Sequence, residues 1–290
     1  MRIVSLLPSA TETVCALGAR DALVGRSHEC DFPAGVESLP VLSAPRLDPR
    51  APGRAIHDRI EELVSRALSI YELDAQTLRE LEPDVILTQT LCEVCAATPT
   101  DLEAALRAWT GRVPRIVPLS PLALDDVLRD VTRVADAIGL AERGTVLAAR
   151  LRARIESLSA LGRAAPARPR VAALEWLDPL IAGGNWMPEL IERAGGVPLF
   201  GKPGEHSPRL EWAELEAAEP DVILVVPCGF GLAQARAELA RTPRLHGRNT
   251  VVLDGNQYFN RPGPRIVESL EILLGVLHPE LNPARGERAP

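Results

Sequence analysis

Four side chains suited to soft metal ions, His28, Cys30, Cys92 and Cys95, stand in two short polar segments. These are Ser27-His28-Glu29-Cys30-Asp31-Phe32-Pro33 and Thr88-Gln89-Thr90-Leu91-Cys92-Glu93-Val94-Cys95. One imidazole and three thiols match the donor number and softness that zinc prefers, and imidazole alone would reach a cobalt or iron centre. The Cys-x-x-Cys pair carries a redox reading as well, because a helix beginning near Cys92 would lower its thiol pKa. Small polarisable residues lining a pocket explain the same pattern without a metal. Cys15, within an amphipathic run, reads as core.

A second set of candidates lies in the other half of the chain. Pro227-Cys228-Gly229-Phe230 and the stretch from Asp254 through Asn256, Gln257, Tyr258 and Phe259 to Arg261 and Arg265 mix side-chain amides with rings. Such a mixture suits the amide or carboxylate rim of a ligand, although Asp and Asn before Gly also simply make turns. Arg261 and Arg265 would clamp an anionic group or cap a sheet edge. Aromatic residues number only ten. Phe32, Trp176, Trp186, Phe230, Tyr258 and Phe259 all fall near expected strand ends, where rings offer a stacking surface to a large flat ligand. The competing reading makes several of them hydrophobic plugs. No Gly-x-Gly-x-x-Gly, Walker-type loop or Gly-x-Ser-x-Gly occurs, and Glu175 and Glu189 have no evident acid–base partner. The sequence therefore predicts a binding protein and not an enzyme.

The elements that must position these residues are announced by a repeat. The hexapeptide EPDVIL occurs at 82–87 and again at 219–224, each time after an amphipathic stretch and shortly before a cysteine. Its Val-Ile-Leu part reads as a parallel strand buried on both faces, and its recurrence predicts two similar lobes. Strand and helix patterns alternate throughout, as in an α/β fold with parallel sheets, here two Rossmann-like lobes. Ligands gather at the carboxyl edge of such sheets, where the candidates fall.

Residues 1–121 form the expected N-terminal lobe and 166–278 the C-terminal lobe. Between them, 122–165 shows helical spacing alone, broken at Gly139, and its second piece is long enough to bridge two lobes. Residues 40–56, rich in Pro, Arg and Gly, read as a surface loop, and 279–290 as a loose tail.

A net charge of −7 and a pI near 5.4 argue against a nucleic-acid partner. No apolar run approaches the ~20 residues of a spanning helix. Met1-Arg2-Ile3-Val4 reads directly as the first strand, with no leader before it, which predicts a cytoplasmic protein, or a periplasmic one if a leader was removed. Five cysteines in so long a chain look like reduced thiols.

At RIVSLLPSATETVCALG, VGRSHECDFP, the EPDVIL strands, GGNWMPELIERAGG and RPGPRIVESLEIL the chain resembles the cobalamin- and siderophore-binding proteins of ABC importers, whose fold is the class III periplasmic-binding-protein fold. The HECDFP and LCEVCA segments look like a leaderless cobalamin-binding branch. The resemblance implies two α/β lobes joined by one long helix and a corrinoid held in the inter-lobe cleft. It further implies contacts from Pro8, Ser9, His28, Phe32, Gln89, Trp176, Trp186, Phe230, Tyr258 and Phe259. Cys30, Cys92, Cys228 and Asn256 join that list from their positions at strand ends. Haem or a ferric siderophore in the same cleft, and a Zn or Fe site at His28, Cys30, Cys92 and Cys95, stand as alternatives. A permease partner is open, with Glu93 and Glu214 as candidate docking carboxylates.

Overall fold

The structure, a computed structural model, describes residues 1–66, 68–89, 102 and 113–281. It divides into two compact units. Unit 1 contains Met1–Ala51, Ala55–Pro121 and Asp125–Arg150, and unit 2 contains Pro52–Arg54, Leu122–Leu124 and Leu151–Pro290.

In unit 1 the strands β1 (Ile3–Ser5) and β2 (Leu23–Arg26) flank the helix α1 (Pro8–Ala16). The segment expected as a surface loop instead carries a strand, β3 (Ser43–Pro45), and opens the helix α2 (Gly53–Ser65), which starts five residues before the predicted Asp58. β3 pairs antiparallel with β4 (Tyr71–Leu73), Ser43 opposite Leu73 and Pro45 opposite Tyr71. The two strands are separated by 25 residues, so no local pattern could announce the pairing. The short helix α3 (Ala75–Glu80) follows, with Asp74 as its N-cap. The Asp74 carboxylate accepts the Gln76 and Thr77 amides at 3.1 and 3.0 Å, and the Thr77 hydroxyl at 2.6 Å. The Thr77 bonds hold the Asp74 pKa below its ordinary value. Such a cap is worth about 1 kcal/mol.

The first hexapeptide delivers β5 (Val85–Gln89), and β6 (Arg115–Leu119) completes a fully parallel sheet in the order β2-β1-β5-β6. β5 lies between two strands, and all five of its residues are buried, as in a sheet covered on both faces. Val4, Leu6, Leu42, Leu78, Ile86 and Leu102 form the core on one side. The predicted helix near 100–109 lies outside the described residues apart from Leu102.

Two helices follow, α4 (Leu124–Ala137) and α5 (Ala141–Ala164), separated by Gly139 at φ +74°. α5 has 24 residues, about 36 Å at ~1.5 Å each, and contributes residues to both units. It buries Leu147, Leu151, Ile155 and Leu158 along one stripe.

Unit 2 repeats the plan with a variation. β7 (Arg170–Leu177) turns at Asp178-Pro179 into β8 (Leu180–Ala182), and the two run antiparallel. The predicted loop from residue 174 to Trp186 is thus partly a hairpin, and Trp176 lies inside a strand. The sheet is mixed, because β8 runs antiparallel beside otherwise parallel strands. Helix α6 (Met187–Arg193), the short strand β9 (Val197–Pro198) and helix α7 (Trp212–Ala217) precede the second hexapeptide strand, β10 (Val222–Val225). Helix α8 (Leu232–Ala240), β11 (Thr250–Val252) and helix α9 (Ile266–Leu277) follow, and a 3-10 turn, Pro279–Leu281, at the start of the expected tail ends the described residues. The order is β11-β10-β7-β8, with β9 added parallel to β7. Ala172, Leu174, Leu215, Ile223, Val225 and Leu245 are among its core residues.

The two hexapeptides do the same work twice. Glu82 and Glu219 adopt φ of +40° and +43°, ending the preceding helix in a left-handed turn. The next polar residue then closes the adjacent strand: Asp84 accepts the Arg2 amide at 2.8 Å, and Asp221 accepts the Arg170 amide at 2.7 Å. Val-Ile-Leu follows as the central strand, β5 between β1 and β6, β10 between β7 and β11.

Candidate functional site

In unit 1 the carboxyl ends of β1, β2 and β5 carry Pro8 and Ser9, the His28 loop, and Gln89. Pro8 opens α1, whose N-cap Leu7 offers no side-chain cap, and Ser9 is buried. Gln89 is the last residue of β5 and is buried.

His28 is the most strongly positioned candidate. Its Nδ1 lies 2.8 Å from the Ser43 hydroxyl, which also accepts the His28 amide at 3.2 Å. Its ring leans on Tyr71, with centroids 5.4 Å apart. Burial, reinforced by the Arg26 guanidinium, pulls its pKa below the ordinary histidine value. The shift favours the neutral imidazole. In the tautomer whose Nδ1–H donates to Ser43, Nε2 keeps a lone pair to offer, the arrangement by which an outer partner orients a metal-binding histidine.

Cys30 behaves differently. It is fully buried, and its sulfur sits 3.0 Å from the Thr11 hydroxyl and 3.2 Å from that of Ser27. Burial pushes its thiol up, against the thiolate that a metal needs. Cys15 is likewise pushed up, to about 11, mainly by burial. Among the described residues no group of three or more His, Cys, Asp or Glu side chains could hold a metal. Cys92, Cys95 and Glu93 lie outside the described residues. Phe32 is exposed.

In unit 2 the carboxyl edge is built from four segments. β7 brings Glu175 and Trp176, the β8–α6 connection brings Gly184 to Trp186, and the β10 loop brings Cys228 and Phe230. After β11 a π-helical turn, Gly255–Phe259, brings Asn256 and Tyr258. The Asn256 amide donates to the Phe230 carbonyl at 3.0 Å, tying the last two together. Gly255 is required there, because a Cβ would stand 2.2 Å from the Pro227 carbonyl oxygen.

The rings on this edge fall into two groups. Trp186, Phe230 and Phe259 are packed into the unit, at 7%, 3% and 1% exposure, and the Trp186 Nε1–H donates to the Phe259 carbonyl at 2.9 Å. Trp176 and Tyr258 keep part of their surface. Trp176 leans on Phe230 at 5.1 Å between centroids, and its Nε1–H donates to the Asp178 carbonyl. Tyr258 lies under the Arg265 guanidinium, 5.3 Å from it. Arg261 and Arg265 are both buried, and Arg261 donates to Asn256 Oδ1 at 3.1 Å. Cys228 is exposed. Glu214 spends its carboxylate on the Glu211 amide at 2.7 Å, in a capping box at the start of α7.

Sequence reasoning missed Ser43 and Tyr71 around His28, and Ser207 and Gly184 around Glu175. Each is remote in the chain from the residue it supports, and no local pattern marks it.

The match to known proteins extends over nearly the whole chain. A cobalamin-binding protein of Halobacterium salinarum is 24% identical over 288 residues, covering 96% of this chain and 69% of that protein. The apo form of the periplasmic heme-binding protein RhuT from Roseiflexus sp. RS-1 superposes with a TM-score of 0.67 at 26% identity, over 97% of this chain and 98% of that one. The periplasmic vitamin B12 binding protein BtuF of Vibrio cholerae does so with a TM-score of 0.63 at 22% identity, over 99% and 98%. These solved relatives are periplasmic proteins, which lends the cytoplasmic expectation no support. Among the described residues no helix is long and apolar enough to cross a membrane. The periplasmic binding protein family matches residues 3–251, so with its two α/β units and the long helix shared by both, this chain belongs to that family.

Proposed function

We propose that this protein is a non-enzymatic binder of a corrinoid such as cobalamin, contacted by the strand-end loops at the carboxyl edges of its sheets. The observation that carries the reading is His28. A neutral imidazole, its Nδ1 held by Ser43 and its ring braced by Tyr71, offers Nε2 as a ligand to cobalt. The relationship to a cobalamin-binding protein along 96% of the chain supports the same choice. In unit 2, Trp176, Tyr258 and Asn256 are the partly exposed groups for the ring and its amide rim. Pro8, Ser9, Phe32, Gln89 and Cys228 complete the candidate contacts, while Trp186, Phe230 and Phe259 act by backing the edge from within. An ABC permease is the proposed partner, in keeping with the family.

Titration with aquocobalamin tests the reading. Binding shifts the corrinoid absorption bands, and His28→Ala abolishes the part of the shift due to ligation. Absence of any shift at micromolar ligand overturns the proposal. Haem is the second reading, favoured by the structural likeness to RhuT and by the same His28, which would ligate iron. Competition between haemin and cobalamin for one preparation separates the two.

A further inference from the structure

Glu175 is a titratable side chain that ligand contact does not explain. It sits at the carboxyl end of β7, where the pairing with β8 slips between Leu174 and Trp176. Such a bulge re-aims the side chain it displaces. The Glu175 Oε2 accepts the Ser207 hydroxyl at 2.5 Å, and the Ser207 oxygen in turn accepts the Gly184 amide at 3.1 Å. One carboxyl thereby joins three segments: β7, the β8–α6 connection, and the loop of residues 199–210.

That loop follows the edge closely. The Asn185 amide donates to the Glu205 carbonyl, the Gly204 amide to the Asn185 carbonyl and the Ala182 amide to the Pro208 carbonyl. A Cβ on Gly184 would stand 2.4 Å from the Ser207 nitrogen, so the loop lies directly on Gly184. The other end of Glu175 is tied as well, its carbonyl accepting the Cys228 amide at 3.1 Å. The adjacent residue is Trp176, whose ring leans on Phe230.

The surroundings are nearly free of charge. Ser207 and Gly184 are the polar neighbours of the carboxyl. Cys228 is the titratable residue of the β10 loop, and Lys202, Glu205, His206 and Arg209 on the 199–210 loop are exposed. Burial pushes the Glu175 pKa up from 4.5 to about 7, outweighing the Ser207 and Gly184 hydrogen bonds that favour the charged form. A carboxylate here would seek water.

We propose that Glu175 is the positioning residue of the unit 2 ligand edge: as a neutral carboxylic acid it holds the 199–210 loop against Gly184, and its ionisation frees that loop and weakens ligand binding. The second clause rests on the corrinoid reading above; the first does not. The sign follows from linkage. A carboxyl with a pKa of about 7 when held and 4.5 when released supports the held state fully below pH 4.5 and loses that support as pH rises through 7. Between pH 6 and pH 8 the held-to-released ratio falls about tenfold.

Amide hydrogen exchange of the 199–210 loop in the ligand-free protein, corrected for the intrinsic pH dependence of exchange, tests the latch. Protection should fall about tenfold from pH 6 to pH 8 in the wild type and stay level in Glu175→Gln. A flat wild-type profile, or an unchanged slope in Glu175→Gln, overturns the proposal. Should that variant fail to fold, Ser207→Ala decides: its loop protection at pH 6 should already drop toward the wild-type pH 8 value, and unchanged protection overturns the latch. Aquocobalamin affinity measured at both pH values forms the separate arm. A pH-dependent loop with no cobalamin binding at either pH upholds the latch and sinks the corrinoid reading. Cobalamin binding that ignores pH while the loop responds overturns the link between them.

Discussion

Replacing Trp186 by Phe separates a ring that builds the edge from a ring that touches the ligand. The indole Nε1–H donates to the Phe259 carbonyl at 2.9 Å, and Trp186 is 7% exposed while Phe259 is 1% exposed. Trp186→Phe leaves that carbonyl buried without its donor, which costs about 1–2 kcal/mol. Losing the second ring adds a small cavity, worth about another 1–2 kcal/mol. The sum, about 2–4 kcal/mol, corresponds to a fall of roughly 5–10 °C in the melting temperature of a unit this size. Thermal and urea unfolding followed by far-ultraviolet circular dichroism measure it, with cobalamin affinity below the transition measured alongside. The expected outcome is a large stability loss with affinity changed by less than threefold. A stability loss under about 0.5 kcal/mol together with a tenfold weaker affinity would refute the reasoning, because the ring would then be working on the ligand.

Three further outcomes are expected. Asp130, on α4, has a buried Oδ2 without a hydrogen-bond partner among the described residues, and burial pushes its pKa up to about 6. Its contribution is therefore lost as pH rises from 3.8 through 6, and Asp130→Asn should stabilise unit 1 by about 1–2 kcal/mol at pH 7 and not at pH 3.5, read from urea midpoints at the two pH values. Gly255→Ala drives a methyl against the Pro227 carbonyl oxygen and should cost about 1–3 kcal/mol, seen as a lower urea midpoint; an unchanged midpoint would mean the π-helical turn is not held as described. Mapping of native-state alkylation by mass spectrometry should find Cys228 labelled and Cys30 protected, and rapid labelling of Cys30 would contradict its burial.

Much of the fold was legible because its signals are local. The helices at Leu124–Ala137, Ala141–Ala164 and Ile266–Leu277 follow apolar spacing, and the hexapeptide marks both central strands. The hairpin of β7 and β8 was not, since Asp178-Pro179 within an apolar stretch reads as a break when it is in fact the turn. The β3–β4 pair joins residues too far apart for any periodicity to report. The site divides in the same way. That candidates gather at carboxyl edges follows from parallel α/β order alone. Which of them are covered does not: the partner of Trp186 is 73 residues away, and the hydroxyl that meets Glu175 is 32 away. Spacing likewise set Cys30 beside His28 as a ligand, whereas its side chain turns inward to Thr11 and Ser27.

The twin hexapeptides leave the nascent chain with a matching problem, since two segments bearing the same six letters each suit the centre of a parallel sheet. Discrimination falls to the letters that come after. β5 continues into Thr88 and Gln89, both buried, whereas the second copy continues into Val225 and Val226, also buried. An exchange of the two would strand a hydroxyl and an amide in a niche shaped for valines, at about 1–3 kcal/mol for each unsatisfied group. Two polar residues thereby act as an address label, telling otherwise interchangeable strands which half of the molecule is home.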